Sequence, residues 1–180
     1  EKALENLASA GLDTPENVLR AEPETLRDAI RPAGFFQQKS VYLKEIAGFF
    51  LENEKEYSRQ ASENELRNRR KKLLSVKGIG RETADSILLY ALGKRSFVID
   101  AYTKRIFSRH RLMQEDGDYD DWKAVFEKAL PRRVGLYNDF HAQIVRLAKE
   151  FCGTAARCHN CPLRQGKIFP KTQNSFKIMP

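Results

Sequence analysis

Leu74-Ser-Val-Lys-Gly-Ile-Gly-Arg-Glu-Thr-Ala-Asp85 is the stretch whose reading decides the fold. Gly78 and Gly80 flank Ile79 and permit a tight turn in which backbone can approach a ligand without interference from a Cβ. The turn opens directly into a helix N-terminus at about Arg81, where unpaired N–H groups and the helix dipole favour an anion. Lys77 and Arg81 stand beside it, and Ile79 is expected to plug the turn into the core. A lone Gly-x-Gly between helices is often an ordinary turn. What separates this one from that reading is its surroundings.

Those surroundings are basic. Between residues 66 and 81 there are seven cationic side chains (Arg67, Arg69, Arg70, Lys71, Lys72, Lys77, Arg81) and no acid, whereas residues 1–65 carry 8 basic against 13 acidic groups. Across all 180 residues the formal net charge is +8. A concentrated positive stripe is the footprint of a polyanion partner, though a solvated helix face has the same composition. No apolar run approaches the roughly 20 residues that span a bilayer, so no membrane role is expected. Three cysteines, an odd number, argue against a secreted disulfide scaffold. The expected setting is intracellular, cytoplasm or nucleoid, and the expected state a monomer.

Helical periodicity extends outward from the hairpin in both directions. Thr14 before Pro15, and Pro23 in the same role, predict two short helices, and Arg31, Pro32 and Gly34 predict a break. Tyr42, Ile46, Phe49 and Phe50 stripe a longer helix ending near Asn53. Ser62 with Glu65 is a capping box for the basic helix, which is expected to stop at Gly78. Beyond the turn, Ala84, Ile87, Leu88 and Ala91 share a face up to Gly93. Phe97-Val-Ile99 is strand-like but too short to build a sheet. Asp100 can cap a helix through about His110. Trp122, Val125, Phe126 and Ala129 stripe another helix, and Phe140, Ile144, Leu147, Ala148 and Phe151 the last, so the chain is read as all-α. His110 and His141 read as surface or packing residues.

Val76-Lys-Gly-Ile-Gly80, then Thr83-Ala84, then Val98-Ile-Asp100 resemble the helix-hairpin-helix DNA glycosylases of the endonuclease III superfamily. The similarity runs from about residue 1 to residue 165, with the hairpin over about 66–91, a cysteine loop over 152–161 and an irregular tail over 166–180. It implies a two-lobed helical fold, and the family's further N-terminal helices are expected to be missing before Glu1. By resemblance, Asp100 matches the catalytic aspartate. Its carboxylate would stabilise positive charge on the sugar as the N-glycosidic bond breaks, after the base has left the stack. From its position alone, capping the next helix is the better account; the hairpin upstream reverses that preference, and the two roles are compatible. Lys77, Gly78, Gly80 and Arg81 would hold duplex DNA by its phosphates.

Glu82 stands where bifunctional relatives carry a lysine. A carboxylate cannot form a Schiff base, so the resemblance implies a monofunctional enzyme. Glu82, Tyr102 and the segment Arg31-Pro-Ala-Gly-Phe-Phe-Gln-Gln-Lys39 look most like the 3-methyladenine DNA glycosylases, with Glu82 and Tyr102 shaping a pocket for an alkylated purine. Phe35 falls where the family inserts an apolar wedge, Phe36 reads as core, and Lys39 could meet a phosphate. Cys152, Cys158 and Cys161 resemble the family's [4Fe–4S] loop. The fourth ligand is not identified, because the fourth position is Lys167; His159, a water or a metal-free remnant are the options. A glycosylase for an oxidised or mismatched base, or a non-catalytic DNA-binding module, would fit the same motifs.

Overall fold

Several helices begin at a side-chain cap. In the computed structural model, which describes residues 1–165, Thr14 Oγ1 accepts the Asn17 N–H at 3.2 Å and Pro15 opens the helix Pro15–Arg20. This helix, α2, follows α1 (Lys2–Ser9) and precedes α3 (Pro23–Ile30). Among the described residues the chain is all-α, with a lone backbone bridge between Cys152 and Ala156. It divides into two compact units, one over Glu1–Ile87 and the other from Leu88 onward. The tail predicted over 166–180, with Lys167, lies outside the described residues.

In the first unit, Leu12, Val18, Leu26, Ala29 and Ala47 form a small core beneath α4 (Phe36–Ser58). This helix runs past Asn53, where polarity predicted its end. The Asn53 amide donates back to the Phe49 carbonyl at 2.8 Å, and buried Tyr57 sets its ring edge-on to Phe49 and Phe50 at 5.4 and 5.5 Å. Aromatic packing of this kind adds about 0.5–1.5 kcal/mol per pair beyond area burial, enough to sustain another turn and a half. The helix α5 (Glu63–Ser75) has its capping box complete: Ser62 Oγ accepts the Glu65 N–H at 3.3 Å and Glu65 Oε2 accepts the Ser62 N–H at 2.8 Å. It ends at Ser75 rather than Gly78, because Val76 is already extended at ψ 129°.

After the hairpin, α6 (Arg81–Ser86) is short, and the predicted helix to Gly93 becomes a π-helical turn over Ile87–Ala91. In the second unit, Phe97, Val98 and Ile99 are almost wholly buried yet form no strand. Side chains satisfy their backbone instead. Phe97 N–H donates to Glu127 Oε1 at 2.9 Å, Lys123 Nζ reaches the Phe97 carbonyl at 3.4 Å, and Ile99 N–H donates to the Tyr119 hydroxyl at 3.2 Å. Lys123 and Glu127 pair with each other at 2.6 Å and clamp the segment from α8 (Tyr119–Ala129). Phe97 stacks on Phe126 at 4.5 Å, and Phe107 of α7 (Ala101–Arg109) meets Phe126 edge-on at 4.8 Å. Trp122 is buried with its indole N–H donated to the Gln114 carbonyl. The last helix, α9 (Val134–Glu150), completes this core through Tyr137, Ile144 and Ala148.

Candidate functional site

The hairpin forms as its two glycines require. Gly78 takes φ +90°, open to glycine and strained for an L side chain, and a Cβ there would fall 2.1 Å from Cγ of Tyr42 on α4. Ile79 is buried, its N–H donating to the Val76 carbonyl at 3.1 Å, while Lys77, Gly80, Arg81 and Glu82 are exposed beside it. Gly80 differs from Gly78: a Cβ there would meet nothing within 4 Å. Its lack of a side chain leaves open backbone facing outward.

The basic stripe divides. Arg69 is buried, its guanidinium donating to the Arg59 and Gln60 carbonyls at 3.0 and 3.4 Å and lying over the Tyr57 ring. Arg70 makes two parallel bonds to Asp85, each 2.9 Å, joining α5 to α6 beneath the turn. Lys72 pairs with Glu56. Arg69 and Arg70 are taken up by the fold and exposed Lys72 by a surface ion pair, so the positive stripe read from composition divides between structural and surface roles. Arg67, Lys71, Lys77 and Arg81 remain on the exposed surface.

The predicted wedge stands on the same unit. Gly34 at φ +66° and Phe35 at φ +47° turn the chain into α4, and Phe35 is 84% exposed. Phe36 is partly buried under the Arg31 guanidinium, 4.7 Å from its ring centre. Lys39 Nζ donates to the Ala33 carbonyl at 2.7 Å, so its ammonium braces this loop. One turn of the same helix carries Gln38, which donates to the Tyr42 hydroxyl at 2.6 Å, and it is the Tyr42 ring that covers Gly78. The Phe35 loop and the hairpin are thus set by one helix.

In the second unit, the clamped Phe97–Ile99 segment delivers Asp100 to the N-terminus of α7. One carboxylate oxygen, Oδ1, accepts both the amide and the hydroxyl of Thr103, each at 2.7 Å. The other, Oδ2, faces His141 Nε2 at 3.4 Å, an electrostatic contact without the alignment of a full hydrogen bond. Burial alone would push the carboxyl's pKa up; the His141 contact and the two Thr103 bonds outweigh it and hold the group below its usual value. Asp100 therefore caps the helix, as one of its two readings required, and stands ionised in a partly desolvated setting. Tyr102 is half-buried against the core, with the Arg105 guanidinium 5.1 Å from its ring centre.

His141, read as surface or packing, is 7% exposed and touches Asp100. Its other nitrogen, Nδ1, meets the Tyr90 hydroxyl. The spacing Tyr137, His141, Ile144, Ala148 places this histidine on the buried stripe of α9. A polar side chain on such a stripe calls for a partner, and that was the available signal.

The cysteines do not assemble into a ligand set. Cys152 and Cys161 are buried and Cys158 is exposed, as is His159. No group of three His, Cys, Asp or Glu among the described residues is placed to hold a metal. Arg109 Nη1 donates to Cys152 Sγ at 3.3 Å and to the Gly153 carbonyl at 2.7 Å, and Nη2 donates to the Thr154 carbonyl at 3.0 Å. A guanidinium braces the start of the loop, and the residues described do not fit a four-ligand cluster.

An all-α chain with a Gly-x-Gly hairpin between two helices, followed twenty residues after Gly80 by a capping, ionised aspartate, defines a helix-hairpin-helix protein of the DNA repair class. The chain belongs to the HhH-GPD superfamily of base excision DNA repair proteins, whose family model matches residues 1–132. It is 43% identical over 166 residues to the Methanocaldococcus jannaschii protein MJ1434, a DNA repair glycosylase by provisional name, covering 92% of this chain and 76% of that one. It is 29% identical to the endonuclease III of Sulfolobus acidocaldarius, covering 87% and 67%. Among solved structures, H. pylori 3-methyladenine DNA glycosylase (MagIII) bound to 1,N6-ethenoadenine superposes with a TM-score of 0.66 at 30% identity, over 83% of this chain and 76% of that one. An endonuclease III–DNA complex shares the fold, with a TM-score of 0.73 at 19% identity over 91% and 72%. No helix among the described residues is long and apolar enough to cross a membrane.

Proposed function

We propose that the chain is a monofunctional DNA glycosylase that removes a damaged base, an alkylated purine, from duplex DNA after flipping it. The observation that carries the reading is Asp100: a carboxylate half withdrawn from water, yet kept ionised by Thr103 and His141. As the bond from the sugar to the base breaks, the electron pair leaves with the base and positive charge grows on the sugar. A preorganised anion at that point lowers the barrier, and water then completes the hydrolysis. The exposed backbone at Gly80, with Lys77 and Arg81 beside it, supports phosphate binding, and exposed Phe35 supports a wedge in the emptied stack.

Glu82 offers no amine, which favours hydrolysis without strand cleavage. The similarity at 30% identity to a 3-methyladenine glycosylase, and the purine adduct in that structure, favour an alkylated purine. Glu82 and Tyr102 are the residues proposed to shape its pocket. The test is release of free base, under single turnover, from duplexes carrying a methylated purine, ethenoadenine, an oxidised base or a mismatch. The expected product is a free alkylated purine with an intact abasic strand and no borohydride-trapped adduct. Release of an oxidised or mismatched base alone would overturn the lesion assignment. A trapped adduct would overturn the monofunctional one, and no release from any duplex would leave a binding module.

A further inference from the structure

Two side chains outside the motif converge on the proposed catalytic carboxylate. Asp100 Oδ1 is saturated by Thr103, so the rotation of the carboxylate is decided at Oδ2, which faces His141 Nε2 at 3.4 Å. That nitrogen is buried and has no hydrogen-bond partner among the described residues. A carboxylate only accepts, so a favourable contact requires the proton on Nε2. In the neutral ring, Nδ1 is then an acceptor, and the group that meets it is the Tyr90 hydroxyl, a donor. Tyr90 reaches this position from the widened π-helical turn Ile87–Ala91, a geometry often found at functional sites.

We propose that Tyr90 and His141 form a positioning relay for Asp100: Tyr90 holds the histidine in its Nε2–H tautomer, and His141 fixes the carboxylate's rotation. The inference rests on the reading of Asp100 as the charge that stabilises the sugar cation. Among the described residues of the second unit, Tyr90 and Asp100 are the titratable groups set against the ring. Arg146, Lys149 and Glu150 line the same surface cavity further along α9, with Arg146 and Glu150 paired at 2.8 Å. The edge of Phe97, 6.4 Å between ring centres, closes another side and supplies no competing donor or acceptor.

The conservative replacement is His141→Gln, whose terminal amide can present an N–H near the place of Nε2; His141→Leu cannot. Tyr90 is 45% exposed, so Tyr90→Phe removes only a hydroxyl from a tolerant position. The probes are a duplex carrying one ethenoadenine and, separately, dimethyl-sulfate-treated duplex DNA. Each variant is read for its single-turnover rate at saturating enzyme, its affinity for the ethenoadenine duplex, its melting temperature, and the titration of the 13C-labelled Asp100 carboxyl by NMR. His141→Leu is expected to lose roughly ten- to a hundredfold in rate, as loss of a catalytic group's alignment does, with affinity unchanged. His141→Gln should recover most of that loss, and Tyr90→Phe should fall between. The Asp100 midpoint should rise in the Leu variant and stay low in the Gln variant.

A Leu variant as fast as the parent, or Gln and Leu variants equally slow with the Asp100 midpoint unmoved, would overturn the relay and leave His141 a packing residue. If the parent itself releases no base, the glycosylase reading fails. The carboxyl titration then still decides whether His141 governs Asp100.

Discussion

The two glycines of the hairpin carry different burdens, and a single methyl group placed on each separates them. Gly78→Ala sets a Cβ at φ +90° and drives it to 2.1, 2.4 and 2.6 Å from three ring carbons of Tyr42. The left-handed backbone costs an L residue about 1–2 kcal/mol. Displacing a packed ring adds about 1–3 kcal/mol, so the expected loss is about 2–5 kcal/mol. For a chain of this size each kcal/mol moves the melting temperature by roughly 2–4 °C, so the midpoint should drop by about 5–15 °C. Gly80→Ala sits at φ −86° with open space around it, and its stability should change by no more than about 0.5 kcal/mol, with a small gain from a less flexible unfolded chain. Its affinity for undamaged duplex should nevertheless fall, because the methyl occupies the backbone face proposed to meet phosphate.

Far-ultraviolet circular dichroism melts measure the first quantity, and fluorescence anisotropy of labelled duplex at fixed salt the second. Repeating Gly78→Ala in a Tyr42→Ala background removes the collision and leaves the backbone strain, so the two changes should couple by about 1–3 kcal/mol. Equal melting shifts for the two alanines, or additive behaviour of Gly78→Ala with Tyr42→Ala, would refute the division of labour.

Asp100→Asn keeps the N-cap acceptor but turns an amide N–H₂ or a neutral oxygen toward His141, and excision should slow by about a hundredfold or more, roughly 3 kcal/mol, in a single-turnover assay. The folded pKa of Asp100 is depressed, so the carboxylate's contribution to stability is complete above the ordinary carboxyl value and is lost as pH falls through the lower folded one; melts in acid should show the gap between parent and Asn variant closing. Asp85→Ala removes the buried carboxylate that Arg70 grips with two bonds and should cost about 3–5 kcal/mol in denaturant unfolding, whereas Arg70→Met with Asp85→Leu should recover much of it. Arg109→Leu removes the guanidinium that meets Cys152 and two carbonyls of the loop, and should lower stability by about 1–3 kcal/mol in denaturant unfolding; an unchanged midpoint would refute the brace.

Helix starts were legible because caps are local. Thr14, Ser62 and Asp100 each bond within three residues of their own position, and nothing distant is needed to see it. Helix ends and irregular turns were less so. The extension past Asn53 depends on Tyr57 meeting Phe49 and Phe50, and the buried extended run Phe97–Ile99 depends on side chains of a helix twenty to thirty residues away. Charge was the least legible: Arg69 and Arg70 look like their exposed neighbours in composition, yet one serves carbonyls and the other a buried aspartate. His141 was within reach of spacing alone, since an apolar stripe interrupted by a histidine asks what the ring is bonded to. Tyr90 was not, because a regular α-helix through Gly93 would have placed it differently.

The burial of Trp122 decides what the protein's own light can report. It is the single tryptophan of the chain, and it sits in the second unit, shielded from water with its indole N–H committed to Gln114. Emission excited at the red edge of protein absorbance therefore records the melting of Leu88 onward and is blind to events confined to Glu1–Ile87. Gly78→Ala loosens the other half. Overlaying the emission curve on the dichroism curve for that variant asks whether a disturbance at the hairpin is felt by the unit that holds Asp100, without a label attached to either.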